Sequence, residues 1–426
     1  MKTAQEVMAA CDALARISAS DSGIERVYLS PQHRKANELV QSWAEEAGLN
    51  AWQDGAGNLC MRLEGRQPGL PALLLGSHLD TVPNAGRYDG ILGVMIALSV
   101  IERLKDRAQS LPFALEAVGF ADEEGTRFGV TLLGSAALAG EWQSSWWDIK
   151  DAQGITIREA FHEFGLNPDN IGEVARTSFL QEGNDPKNLS SGNAHQVIAY
   201  LEAHIEQGPV LEAKNEALGV VTSIAGARRF EVHVEGEAGH AGTTPFELRH
   251  DALCAASQMI LSIEQMAKES DCVATVGQLE VLPGAVNVIP GDVHFSIDIR
   301  SADDHSRDTL WNDIEGTLET QAKERRVGLT IRQTHCAGAQ GCADGLQSHI
   351  ADGIEQTVHH APISLFSGAG HDAMVVGKLT DVGMMFIRCE KGLSHHPAES
   401  VEEADVALAI DAMEKAVLSL AASYNQ

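Results

Sequence analysis

The chain has 426 residues, 44% of them hydrophobic and 21% charged, enough length for two domains and at least one large core. Its formal net charge of −29 argues against nucleic acid or an anionic membrane surface as a partner, so an anionic substrate would need a local cluster of positive charge. Seven cysteines, odd in number and with no C-x-x-C pair, point to free thiols in a reducing cytoplasm, and no apolar run is long enough to span a membrane.

Residues 1–15 carry an amphipathic helical pattern with acidic residues, without the basic start and apolar run of a signal peptide. Residues 1–70 read as helix, turn, helix and strand pair. Ser30 and Pro31 have the form of an N-cap and first position, and Ala36, Leu39, Val40, Trp43 and Ala44 share the apolar face of the helix that follows. Residues 72–75 are a short apolar run, read as a buried strand. The segment Gly76-Ser-His-Leu-Asp-Thr-Val-Pro follows it, so that His78, Asp80 and then Asp89 come just after the strand. A buried strand ending in ligand-capable residues is how an open α/β sheet presents a site at its carboxyl edge.

Residues 91–104 are apolar almost all round, which predicts a buried helix packed on the sheet. Residues 113–120 predict the next strand, ending in Ala121-Asp-Glu-Glu-Gly, a second polar cluster at a strand's carboxyl end. Residues 141–195 are less regular, with Trp142, Trp146 and Trp147 as core anchors. Residues 200–208 place His204 in an apolar–polar alternation.

The character changes near Gly219. Phe230, Val232 and Val234 alternate with polar residues, 251–268 is an amphipathic helix, and residues 273–279 and 293–299 alternate again. Residues 311–323 read as a helix and 328–334 as a strand. Strands and helices alternating over this length predict a small inserted α+β domain. Residues 363–366 and 382–387 are strands followed by Gly- and His-rich loops, and 404–420 is a closing helix.

Five residues gather as candidate metal ligands: His78, Asp89, Glu124, His204 and His395. With Asp89 as a bridge, His78 and His204 complete one metal and Glu124 and His395 the other. Imidazole and carboxylate suit zinc or manganese, so two divalent ions per chain are expected. Asp80 is placed to orient His78. Glu123 neighbours a ligand, cannot point the same way, and is free to act as general base.

The motifs Gly76-Ser-His-Leu-Asp-Thr-Val-Pro, Arg87-Tyr-Asp-Gly-Ile-Leu-Gly, Asp122-Glu-Glu-Gly, His204-Ile-Glu-Gln-Gly-Pro, Gly239-His-Ala-Gly-Thr-Thr-Pro and Ser394-His-His-Pro-Ala-Glu resemble the dinuclear metallo-amidohydrolases. They are most similar to the ureido-hydrolysing branch: allantoate amidohydrolases, N-carbamoyl-L-amino-acid hydrolases and β-ureidopropionases. The resemblance covers nearly the whole chain in order. His204 stands where related exopeptidases carry a carboxylate, and His396 follows His395 where relatives often have Ser. It implies an α/β, mixed-sheet, metallopeptidase-like catalytic domain (1–217 and 334–426) with a smaller α+β dimerisation and lid domain inserted at 218–333.

The resemblance further implies a homodimer in which His240 reaches the partner's active site, helping to stabilise the oxyanion and bind substrate. Asn287 and Arg300 would bind the substrate carboxylate, Gly370 would contact substrate, and Gln207 would lie near the metals. The alternative for Arg300 is an ion pair with Asp298 or Asp303, and for His371 and Asp372 a helix N-cap. The reaction implied is hydrolysis of a carbamoyl group to ammonia and carbon dioxide. Allantoate is favoured because the segment starting at Arg26 looks most like that branch. Its second ureido arm would meet residues 367–372, Gln207 and Arg228. A dipeptidase or aminoacylase is disfavoured by His204, and a catalytically dead binding protein by the joint presence of Glu123 and five ligands.

Overall fold

The apolar run at 72–75 extends into the strand Ala72–His78, every residue of which is buried. The structure is a computed structural model in which residues 1–180, 183 and 189–424 are described; the stretch expected to be irregular, 141–195, lies outside them at 181–182 and 184–188. In chain order the strands are β1 (Asn50–Gln53), β2 (Leu59–Leu63), β3 (Ala72–His78), β4 (Ala114–Phe120), β5 (Thr177–Ser178), β6 (Gln196–Ile205) and β7 (Leu218–Ile224). They continue as β8 (Gly226–Glu235), β9 (Gly239–His240), β10 (Val273–Thr275), β11 (Leu279–Leu282), β12 (Val288–Ile289), β13 (Asp292–Ser301), β14 (Gly328–Ala337), β15 (Gln340–Gly341), β16 (Ile363–Ser367) and β17 (Val382–Ile387).

The chain divides into two units. The first comprises 1–222, 342–365 and 369–426, and the second 223–341 with 366–368. Both junctions fall later than the expected 217/218 and 333/334. Residues at the start of β7 pair with β17, as in Val221 opposite Met384, and so stay with the first unit. At the other end β14 remains paired with β8 as far as Ala337 opposite Ala227.

In the first unit the sheet runs β1-β2-β4-β3-β6-β17-β7. β3 is parallel to both β4 and β6, and β6 to β17, while β1–β2, β2–β4 and β17–β7 are antiparallel, so the sheet is mixed. Helix Ile91–Leu104 packs on β3, β4 and β6 and is buried except at Glu102 and Arg103. A fully buried Leu or Ile contributes roughly 2 kcal/mol, so this helix anchors the sheet that carries the site. Gly93 lets it approach closely, since a Cβ there would lie 2.2 Å from the Ala203 carbonyl oxygen. Helices Ala4–Ala15, Pro31–Glu46, Asp344–Val358 and Glu403–Ser423 complete this core. A second cluster gathers Tyr28, Phe128, Trp147 and Phe161, with Trp142 and Trp146 packed against it.

The alternation expected around His204 does not hold. β6 is buried on both faces, Glu202 included, because it lies in the middle of a sheet covered by helix Ile91–Leu104 on one side. Parallel strands buried on both faces do not need a polar side.

The second unit is antiparallel, ordered β10-β13-β8-β14 with β11 also on β13. Its alternation is clean: Val293, Phe295, Ile297 and Ile299 are buried with Phe230, Val232 and Val234 beneath helices Ala252–Lys268 and Asp304–Arg325. The single strand expected at 273–279 is two strands, β10 and β11, on the same neighbour.

Candidate metal centre

Four parallel strands bring the candidate residues together. His78 ends β3 and His204 lies one residue from the end of β6. Glu123 and Glu124 follow β4, and His395 lies in the loop after β17. Asp89 precedes helix Ile91–Leu104, with Gly90 as N-cap at φ 68°. A Cβ on Gly90 would lie 2.3 Å from His78 Nε2, so only glycine lets the helix start this close to the imidazole.

Asp89 is the hub. Its Oδ1 lies 3.3 Å from His204 Nε2 and 3.9 Å from His78 Nε2. The other oxygen, Oδ2, lies 3.1 Å from His395 Nε2, which is 3.4 Å from Glu124 Oε1. One carboxylate thus faces two pairs of donors, one per oxygen. The two groups His78, Asp89, His204 and Asp89, Glu124, His395 each converge closely enough to hold an ion.

The imidazoles are oriented for this. His78 Nδ1 is 3.0 Å from the Asp80 carbonyl oxygen, and His204 Nδ1 is 2.9 Å from that of Ile205. Neutral rings donating from Nδ1 leave the Nε2 lone pairs free. His204 Nε2 is buried with no hydrogen-bond partner, a cost that a bound cation would remove. Residues of these types with this orphaned nitrogen fit a pair of divalent cations. His396 is engaged elsewhere, its Nδ1 accepting the Ala398 N–H at 3.1 Å.

Asp80 has a larger role than the one read from its spacing. It is its main-chain carbonyl that holds His78, while the carboxylate stands 3.6 Å from Nδ1. That carboxylate accepts the N–H of Glu123 at 3.0 Å and of Glu124 at 3.2 Å, fixing the turn that presents both. Asp122, before them, is in the left-handed region at φ 62°, as is His395 at φ 55°. Non-glycine residues there are strained and are held by their surroundings.

A layer of support surrounds Asp89; of its members the resemblance places only Gln207 near the metals, and the roles of Ser394 and Glu399 are not visible in the sequence. Ser394 Oγ donates to Asp89 Oδ2 at 3.1 Å and is also 3.0 Å from Glu399 Oε2. Glu399 Oε1 accepts the N–H of Tyr88 at 2.8 Å and of Asp89 at 3.1 Å. Gln207 Nε2 donates to Asp89 Oδ1 at 3.0 Å. Asp372 stands at the N-cap position of the short helix Ala373–Val376, but its side chain makes no capping hydrogen bond and is buried, and His371 packs edge-on to His204 at 4.4 Å. Gly370 approaches Glu123; a Cβ there would be 3.8 Å from Oε1, an ordinary contact, so the space does not demand glycine.

Negative charge is concentrated here. Burial, then the charges of Glu124, Asp372, Asp80 and Asp89, push Glu123 well above the ordinary carboxylate range. Burial also pushes Asp89 up, but the hydrogen bond with His395 and the charges of His204 and His78 outweigh it and hold it low. Crowded carboxylates of this kind favour a cation between them.

The remaining candidates belong to the second unit, and each has partners there. Arg300 grips Asp298 through Nε and Nη2, at 2.9 and 3.2 Å, and its Nη1 donates to the Gly368 carbonyl at 2.6 Å. The ion pair weighed as an alternative is therefore present. Arg228 bonds Gln333 and Asp308 and lies over the rings of Phe230 and Trp311. Exposed His240 pairs with Val288, and its Nδ1 accepts the Gly242 N–H at 3.1 Å. Asn287 is exposed, with its carbonyl accepting from Ala241.

The profile of peptidase family M20/M25/M40 matches residues 74–419. Allantoate deiminase 1 of Glycine max is 37% identical over 430 residues, spanning 94% of this chain and 86% of that one. The N-carbamoyl-L-amino acid amidohydrolase of Geobacillus stearothermophilus is 38% identical over 400 residues, 94% of each chain. A hydantoinase/carbamoylase family amidase from Burkholderia multivorans superposes with a TM-score of 0.88 at 28% identity, covering 99% of this chain and 98% of its own. With a profile match over most of its length and full-length relatives above 30% identity, the chain belongs to peptidase family M20/M25/M40.

Proposed function

We propose that the protein is a metal-dependent amidohydrolase that cleaves the carbamoyl group of a ureido acid, with allantoate as the favoured substrate. The observation that carries this is the division of Asp89, one oxygen toward His78 and His204 and the other toward Glu124 and His395. Two zinc or manganese ions held there would polarise the ureido carbonyl and acidify a water. Glu123 takes the proton as water adds to the carbonyl carbon, and returns it to the nitrogen that leaves when the C–N bond breaks. The carbamate released decomposes to ammonia and carbon dioxide.

Asp80 keeps Glu123 and Glu124 in place through their main-chain N–H groups. We assign Arg300, Asn287 and His240 to substrate and oxyanion recognition on the strength of the sequence resemblance. For His240 a local feature agrees: a ring accepting a hydrogen bond at Nδ1 carries its proton at Nε2, the donor an oxyanion needs. Arg300 would exchange the Gly368 carbonyl for a substrate carboxylate while keeping Asp298. We also assign the dimer contact and closing motion to the second unit. Sedimentation of an active monomer would contradict that. The seven thiols, all free, favour a cytoplasmic location.

Relatives named for allantoate and for N-carbamoyl-L-amino acids match at almost the same identity, so identity does not rank the two substrates. Allantoate rests on the Arg26 segment. Its main-chain N–H donates to Thr81 Oγ1 and its guanidinium to the Leu79 carbonyl, bracketing the loop after β3. A site built to hydrogen-bond the second ureido arm rejects analogues lacking it. The test is ammonia release from allantoate, N-carbamoyl-L-methionine and N-carbamoyl-β-alanine with manganese present. A higher kcat/KM for allantoate is expected; a higher value for the methionine derivative would move the protein to the second reading.

A further inference from the structure

We propose that the second unit carries a separate site for a divalent transition cation of the zinc class, formed by His233, Asp292 and His294 on the solvent face of its sheet. This inference does not depend on the substrate or on the metals around Asp89. β8 and β13 are antiparallel with His233 directly opposite His294, so the two imidazoles stack, centroids 4.2 Å apart and planes 6° from parallel. Asp292 lies two residues before His294 and therefore on the same face of β13. Its two oxygens meet one imidazole each: Oδ2 is 3.0 Å from His233 Nε2 and Oδ1 is 2.9 Å from His294 Nε2.

The second of those contacts is not a hydrogen bond. Asp292 Oδ1 is shielded from solvent and has no hydrogen-bond partner, although a ring nitrogen stands 2.9 Å away. Two lone-pair-bearing atoms this close with no proton shared between them repel, and a cation held by both would remove that cost. Two ligands about 2.0 Å from one tetrahedral ion lie roughly 3.3 Å apart, near the spacing seen here. The three residues converge closely enough to share one ion.

The surroundings favour a cation. Glu235 stands opposite Asp292 and Glu280 opposite His294, while β14 brings Thr330 opposite His233. Arg332, further along β14, is paired with Glu231. The side chains are 32%, 36% and 50% exposed for His233, Asp292 and His294, so the coordination sphere has an open side toward solvent. Two imidazoles and one carboxylate suit zinc, nickel, cobalt or copper, and not calcium or magnesium, which take oxygen ligands. Because the ligands come from adjacent strands, a bound ion would clamp β8 to β13.

The test uses the full chain and zinc. After saturation with zinc and removal of unbound metal, the wild type should hold one more zinc per chain than His233→Gln or His294→Gln. The centre around Asp89 is intact in all three. Equal zinc content in wild type and variants would overturn the site. A second measurement needs no variant: diethylpyrocarbonate acylation of the wild type, mapped by peptide mass. Zinc should suppress modification of both His233 and His294 while leaving exposed His359 reactive. Modification of either histidine at an unchanged rate would overturn the proposal and leave a His–Asp–His cluster that holds no metal.

Discussion

The two units treat their polar side chains in different ways. In the first, His78 and His204 lie at or near the ends of buried strands, Glu124 follows another and Asp89 precedes a buried helix, and the Nε2 atoms of both histidines face the Asp89 carboxylate. In the second, Arg228, Arg300 and Asp298 stand on the polar face of an amphipathic sheet and satisfy each other or their neighbours. Burial makes the difference. A polar group withdrawn from water must be compensated, so a buried nitrogen without a partner, as at His204, marks a place prepared for something else. A half-exposed guanidinium bound to Asp298 is already content and must exchange a partner to do further work.

This contrast ranks the expected effects. Asp89→Asn removes charge from the one carboxylate that faces both donor pairs. It should empty both metal positions and lower kcat/KM by more than about 10³-fold, beyond the worth of a single hydrogen-bond donor. Metal analysis together with kinetics checks it. Glu123→Gln should keep the metals and bind substrate while kcat falls at least about 100-fold. Near-normal turnover would place the base elsewhere. Glu399→Gln touches the centre only through Ser394 and the Asp89 N–H, and should weaken metal affinity by about 10–100-fold, measured by competition with a chelator.

The smallest effect belongs to the second unit. Arg300→Ala should raise KM by roughly 10-fold, the worth of a charged hydrogen bond, with metal content unchanged. If KM is unaltered, Arg300 is a partner of Asp298 only, and the contrast between the units sharpens further.

The sequence carried those features that have a local cause. The run at 72–75, the all-round apolar segment at 91–104 and the alternation of Val293, Phe295, Ile297 and Ile299 each reflect one element's own surroundings. The polar residues after buried strands likewise stand close to one another in the structure. What escaped depends on distant segments. Glu399 reaches the N–H of Asp89 across 310 residues, and no spacing rule connects them. The segment around His204 reads as alternating because nothing in it reveals that β6 lies mid-sheet, with Glu202 buried. Its carboxylate accepts from Ser77 at 2.9 Å and from Tyr200 at 3.1 Å. Asp372 stands at the helix N-cap, one of the two readings open to it, but its burial comes from the short helix packing on β6 and β17, which no local pattern reveals.

In the proposed function one carboxylate, Asp89, joins two metal positions into a single hydrolytic centre. The most direct test is the number of zinc or manganese ions held by the His233→Gln protein, which lacks the separate cluster on the second unit, measured alongside its ureido-acid hydrolysis as chelator is added. Two ions per chain, with activity lost as they are withdrawn and recovered on their return, is the predicted result. Full activity with one ion or none would contradict it.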